Sequence, residues 1–200
     1  MMIYEHFSVV GFCNTYVIGP ENGGPAILID PGHVDNELIN IIEKKNYKLD
    51  TILLTHRHKA HTQGVGTLLK IYNPKVYAYA ANVLDFKAIR IRGNEILKCG
   101  DIQIRTIHVP GHSVDSIVYK IGQALFTGDT LNASRISSTI GYMEQHILID
   151  QIEKKLMSLP DNTLVYPGHG APSMIGNEKL FNPDLSERTA SKWVQSKHHS

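Results

Sequence analysis

A chain of 200 residues, 42% hydrophobic and 20% charged, is long enough for one substantial core and argues against a second independent domain. Twenty basic and nineteen acidic side chains leave a formal net charge of +1, with no basic run suited to nucleic acid or an anionic membrane surface. Neither partner is therefore expected, and the apolar stretches fall well short of the ~20 residues of a membrane span.

Residues 3–10 and 15–18 read as strands, broken near Gly11 and by the turn-forming cluster at 19–25. Residues 26–29 form a short apolar strand that stops at Asp30-Pro31-Gly32. Apolar positions 34, 38, 41 and 42 then recur at helical spacing over 34–47. Residues 51–54 read as a buried strand, followed by a histidine-rich loop and a helix through Val65, Leu68, Leu69 and Tyr72. A strand at 76–79 and a helical turn at 83–88 come next. Ile102, Ile104, Thr106 and Val109 belong to an extended run closed by Pro110-Gly111. Residues 116–121 and 124–127 flank Gly122-Gln123 as a hairpin. Ile147, Leu148, Ile152 and Leu156 mark another helix, and residues 163–165 a final strand. Strands interleaved with helices predict a layered α/β or α+β domain over 1–185. The polar tail, 186–200, reads as disordered, with Trp193 as a side chain able to dock.

No charged segment followed by an apolar stretch marks a secretory signal in residues 1–10. The two cysteines, Cys13 and Cys99, suit buried small hydrophobes better than a disulfide or a metal pair. A cytoplasmic location is the expectation.

Eleven histidines are the unusual count. His6, His33, His108, His146, His198 and His199 read as ordinary surface or core residues. The remaining five follow strands: His56, His58 and His61 after 51–54, His112 after Pro110-Gly111, and His169 after Pro167-Gly168. Asp129 follows the strand 124–127 in the same way. Loops at one end of a layered sheet converge, so ligands distant in sequence can share a cleft. Imidazole nitrogen plus one carboxylate suits zinc, iron or manganese. His56 and His58, two apart in extended backbone, can reach one ion; His61, at the start of the next helix, points elsewhere and can serve a neighbouring one. Asp30 reads equally as a turn cap and as a support for the cluster. Arg57 and Lys59 read as solvated loop charges, and Arg135 and Tyr142 as marginal candidates for the pocket wall.

Together the segments Ile29-Asp30-Pro31-Gly32, Thr55-His56-Arg57-His58, His61, Gly64, Pro110-Gly111-His112, Phe126-Thr127-Gly128-Asp129-Thr130-Leu131, Tyr166-Pro167-Gly168-His169-Gly170 and Asn182-Pro183 carry a resemblance. Their order and spacing resemble the metallo-β-lactamase superfamily, and more closely its glyoxalase II-like (hydroxyacylglutathione hydrolase-like) short bacterial hydrolases, over residues 14–185. The resemblance implies a four-layer αβ/βα sandwich with metals at one edge. It implies a first metal on His56, His58 and His112, with Asp129 bridging to a second on His61 and His169. The family adds an Asp to the second site, at the position held here by Ala60. Loss of a supporting partner alone costs about 10–100-fold in metal affinity, and loss of a ligand at least as much. The expectation is one firmly bound zinc and a second site weak or empty, with iron or manganese as other candidates.

The function implied is hydrolysis of a small acyl compound, a thioester such as a hydroxyacyl-glutathione, by a metal-bound water acting with Asp129. Bound zinc brings its water's pKa to about 7 and polarises a carbonyl, so no side-chain nucleophile is needed. Two departures bear on the substrate: the added C-terminal helical domain of larger glyoxalase II enzymes is missing, and residues 132–142 lack the family's glycine- and arginine-containing loop. Two other readings stand beside this one. The first is a mononuclear iron sulfur dioxygenase using His56, His112 and Asp129. The second is a binding protein catalytically impaired by Ala60.

Overall fold

The computed structural model describes residues 1–185; the tail 186–200, with Trp193, lies outside the described residues. The first half runs β1 (Met2–Ser8), β2 (Cys13–Gly19), β3 (Gly24–Ile29), α1 (Asn36–Lys44), β4 (Tyr47–Leu53), α2 (Lys59–Thr62), α3 (Val65–Ile71), β5 (Lys75–Ala78), β6 (Asn82–Val83), β7 (Phe86–Lys87) and β8 (Ile89–Arg90). The second half runs β9 (Ile96–Cys99), β10 (Ile102–His108), β11 (Ile117–Ile121), β12 (Ala124–Gly128), β13 (Leu131–Asn132), β14 (Arg135–Ile136), α4 (Tyr142–Lys155), β15 (Leu164–Pro167), β16 (Ser173–Met174) and α5 (Ile175–Phe181). Two six-stranded sheets result, in the orders β1-β2-β3-β4-β5-β8 and β16-β15-β12-β11-β10-β9.

Side-chain alternation along each strand builds the layers. In β2, Tyr16 and Ile18 enter the core between the sheets, while Val17 faces the other way, towards Leu38, Ile42, Val65 and Leu68 of α1 and α3. In β11 and β12 the same period of two sends Tyr119, Ile121 and Phe126 inward. It sends Val118 and Leu125 outward against Leu148 and Ile152 of α4. Strands buried on both faces need near-continuous apolar sequence, which is why these segments read as uniform apolar runs. Helix, sheet, sheet and helix stack as four layers, the architecture the resemblance implied.

Strand direction places the loops. In the first sheet β3 and β4 are parallel. In the second, β10 is antiparallel to β11, and β11 to β12, so β10 and β12 run the same way, as does β15, which pairs in parallel with β12. The chain therefore leaves β10, β12 and β15 along one edge of that sheet. The sheets join there through Ile117 N–H donating to the Thr55 carbonyl at 2.7 Å.

Local differences from the sequence reading have local causes. Residues 83–88 are not a helical turn: Val83 pairs with Phe86 across a tight β6–β7 turn, with Leu84 at φ +46°. The helix read over 34–47 begins after Asp35, whose carboxylate accepts from Leu38 N–H at 2.9 Å. It ends by Lys45, because Asn46 at φ +51° turns the chain into β4. The short strands β9 and β16 and the helix α5 were not anticipated. Among the described residues no helix is long and apolar enough to cross a membrane.

Candidate metal centre

All six predicted side chains meet at one edge of the sandwich, in two donor sets that share Asp129. One comprises His56, His58, His112 and Asp129; the other comprises His61, Asp129 and His169. Within the first, His58 Nδ1 lies 2.9 Å from His56 Nε2 and 3.2 Å from His112 Nε2. Asp129 Oδ2 lies 3.7 Å from His56 Nε2 and 3.6 Å from His112 Nε2. In the second, Asp129 Oδ1 is 3.3 Å from His61 Nε2 and 3.5 Å from His169 Nε2. Ligand atoms ~2.0–2.1 Å from a tetrahedral zinc stand about 3.3 Å apart, so these separations are those of donors around one small cation. The two carboxylate oxygens are thus divided between the two sets.

Hydrogen bonds on the far side of each ring fix which nitrogen faces the centre. Thr55 Oγ1 donates to Asp30 Oδ2 at 2.5 Å, so its 3.0 Å contact with His56 Nδ1 is served by the imidazole N–H. His61 Nδ1 donates to Asp30 Oδ2 at 3.1 Å. His112 Nδ1 donates to the Ser138 carbonyl at 2.9 Å, and His169 Nδ1 to the Phe12 carbonyl at 2.8 Å. Four rings therefore carry the outer proton on Nδ1 and can present Nε2 inward as a lone pair, the orientation that metal-ligating histidines require. Asp30, whose two readings were equal in the sequence, supports the cluster: it binds His61, the Thr55 hydroxyl and, at 2.8 Å, Thr55 N–H.

The residues fit a metal ion on three counts. His61 Nε2 and Asp129 Oδ1 are buried with no hydrogen-bond partner, an arrangement costly for a polar atom unless a cation is supplied. Inward nitrogens of three rings crowd together, where a proton on His58 can serve only one neighbour. The mixed imidazole and carboxylate set is itself one that first-row metals take.

Electrostatics separate the two halves. Burial first, then the neighbouring His61, pushes His56 down to about 2, so it stays a neutral donor. Burial also lowers His58. At His61 burial lowers the value, but the charges of Asp30 and Asp129 and the hydrogen bond to Asp30 outweigh it and hold the ring at about 10. At Asp129 burial raises the value, and contacts to His61, His56 and His169 overcome it, keeping the carboxylate ionised. A proton and a cation therefore compete for His61 below about pH 10. Affinity of the second half should rise with pH by up to about tenfold per unit over about pH 7 to 9, while the first half changes far less. Zinc titrations across that range, resolving two binding steps, check this difference.

Two glycines let the loops approach this closely. A Cβ on Gly168 would lie 2.6 Å from Asp129 Oδ1 and 2.7 Å from His61 Cε1. Gly128, at φ +51°, has the Thr55 side chain where its own Cβ would be, with Oγ1 at 2.3 Å. We expect Gly168→Ala to leave the fold cooperative yet abolish metal uptake by the second half and weaken the first, read as metal equivalents per chain after dialysis.

Other candidates fall elsewhere. Arg135 pairs with Asp184 at 3.2 Å, away from the centre. Tyr142 is exposed, its ring against His146 at 4.2 Å. His6 is buried against Asp35 at 3.0 Å, and His108 stacks on Tyr79, so neither joins the cluster. Cys13 and Cys99 are buried and free; the Cys13 thiol donates to the Ala60 carbonyl at 2.7 Å. Thr55 and the carbonyls of Phe12 and Ser138 were missed by sequence reasoning. A cleft of about 450 Å³ opens beside the first half, lined by His58, His112, Ser138, Thr139, Ile140 and Glu144 among others.

A four-layer sandwich with a shared histidine and aspartate centre at its edge defines a fold class built around metal ions. The chain belongs to the metallo-beta-lactamase superfamily, whose sequence model matches residues 8–169. It is 30% identical to an uncharacterized protein of Mycobacterium tuberculosis over 207 aligned positions, covering 86% of this chain and 92% of that one. It is 32% identical to the hydroxyacylglutathione hydrolase of Tolumonas auensis over 163 positions, covering 78% of this chain but only 61% of that enzyme's length. Among solved structures, ETHE1 from Myxococcus xanthus superposes with a TM-score of 0.81 at 30% identity, covering 92% of this chain and 84% of that one.

Proposed function

We propose that this chain is a metal-dependent hydrolase of small acyl compounds, with a thioester such as a hydroxyacyl-glutathione as substrate. The observation that carries this reading is the first donor set, in which three imidazoles and one carboxylate oxygen surround a point beside an open cleft. His56, His58, His112 and Asp129 would hold the principal ion, with zinc favoured; His61 and His169 would offer a weaker second position. A bound ion there would supply Lewis acidity, activating water and polarising the acyl carbonyl.

The chain's own residues do the rest. Asp129, kept ionised by His61, His56 and His169, would orient the attacking water by accepting its hydrogen bond. His112, braced by the Ser138 carbonyl, fixes the wall on which the acyl group lies. The cleft, about 450 Å³, has room for a short acyl group. Two buried free cysteines are consistent with a reducing, cytoplasmic setting.

The test is elemental analysis of the purified full chain, followed by assay against lactoyl-glutathione and simpler thioesters. About one equivalent of zinc with thioester cleavage that chelation abolishes is the expected result; a metal-loaded protein inert to every thioester would overturn it.

A second reading draws on one specific feature. His56, His112 and Asp129 form a two-histidine, one-carboxylate triad, with both imidazoles within 3.7 Å of the same oxygen. That set suits a mononuclear iron oxygenase, and an ETHE1 is among the similar structures. Stoichiometric iron after anaerobic purification, with oxygen uptake on a persulfide, would replace the hydrolase by the dioxygenase. A metal-loaded chain that performs neither reaction, even with Asp restored at position 60, would leave the binding-protein reading.

A further inference from the structure

A second groove adjoins the catalytic cleft. It is about 340 Å³ in volume and shares Arg57 and Val114 with the cleft. Tyr79, Asn82, Arg90 and Asp115 line its far part. Among the described residues neither Arg57 nor Arg90 makes an ion pair, though both are exposed in the groove.

Arg90 is held in place. Its guanidinium carbon sits 5.8 Å from the centroid of the Tyr79 ring. Tyr79 in turn stacks on His108, with centroids 4.5 Å apart and planes 16° from parallel. His108 Nε2 donates to the Val114 carbonyl at 2.9 Å, which ties the stack to the loop separating groove from cleft. Pairing of β5 with β8 sets Arg90 opposite Ala78, so the backbone beneath is fixed as well. An arginine braced on an aromatic face loses little freedom on binding an anion. Among the described residues Asp115 is the single carboxylate lining the groove; it is buried and accepts the Ser113 hydroxyl. The balance of two guanidinium groups against one withdrawn acid favours an anion.

We propose that this groove binds the anionic end of the substrate's thiol carrier, a carboxylate or phosphate held between Arg57 and Arg90, while the acyl group lies in the cleft at His112. The proposal rests on the hydrolase reading for its substrate and adds the feature by which carriers are told apart. It also assigns a purpose to Arg57, otherwise a loop charge between two metal-site histidines.

The test compares the zinc-loaded full chain with its Arg90→Gln variant on three acetyl thioesters. One carrier is neutral, N-acetylcysteamine; a second is anionic, pantetheine 4′-phosphate, with glutathione as a carboxylate-bearing third arm. In Arg90→Gln the ratio of kcat/KM for anionic over neutral carrier should fall about tenfold, the scale of one charge-assisted hydrogen bond. Arg90→Lys should keep most of the ratio, Lys87→Gln should leave it as it is, and added salt should compress it in the parent protein. A fall with only one anionic carrier identifies whether phosphate or carboxylate is the group bound. A ratio within twofold of the parent in Arg90→Gln overturns the proposal. Should no thioester be cleaved, calorimetric titration with the free phosphorylated thiol decides separately. About tenfold weaker binding in the variant keeps the groove while the hydrolase reading falls, and equal binding removes the groove.

Discussion

Replacing Asp129 with alanine is expected to release metal from both halves of the centre and to reduce thioester hydrolysis at least about 1,000-fold, roughly 4 kcal/mol of barrier. Among the described residues no other side chain contributes to both donor sets, since Oδ2 faces His56 and His112 while Oδ1 faces His61 and His169. The variant would leave the inward imidazole nitrogens with no carboxylate facing them, since Asp30 lies behind His61, and a divalent cation would gain little from the remaining donors. His169→Ala makes the contrast, because it removes a donor from the second set alone and should spare the first equivalent of metal. Elemental analysis of both variants after dialysis against a weak chelator, with thermal unfolding to confirm that each is folded, reads the difference. An Asp129→Ala protein that keeps a full equivalent of metal would contradict the shared-carboxylate geometry.

Much of this centre was legible because several of its polar residues follow strands that had to be apolar on both faces. Residues 26–29, 51–54 and 124–127 stand out for that reason, and Asp30, His56 and Asp129 are the polar residues at or just beyond their ends. The clamps behind the rings were not legible. Ser138 and Phe12 hold His112 and His169 through backbone carbonyls, which every residue type supplies, so no side chain marks them. The same limit hid the β6–β7 turn, where six residues too few to show a period left helix and hairpin indistinguishable. Thr55 lay in plain view but had no reason to be chosen until its hydroxyl was seen between Asp30 and His56. Arg90 and Tyr79 are eleven residues apart in the chain, and only the β5–β8 pairing makes them neighbours.

Ala60→Asp carries the second large effect, in the opposite direction. Ala60 sits in α2 directly before His61; its carbonyl accepts the Cys13 thiol and lies against Gly32, while its Cβ lies against Gly11. Aspartate at this position would extend the side chain that already packs on Gly11. It would add a third carboxylate near His61, alongside Asp30 and Asp129, raising the second half's affinity for zinc by at least about 10–100-fold, the scale on which such partners act. The chain should then take up two equivalents rather than one. Hydrolysis of lactoyl-glutathione should rise with the second equivalent, since a further carboxylate beside the centre helps orient the attacking water. The measurement is zinc stoichiometry and kcat on the same preparations, each titrated from the metal-free state. A variant that binds two ions with no gain in rate would place the limitation of this chain in substrate recognition; one that still binds a single ion would mean that position 60 does not face the second half at all.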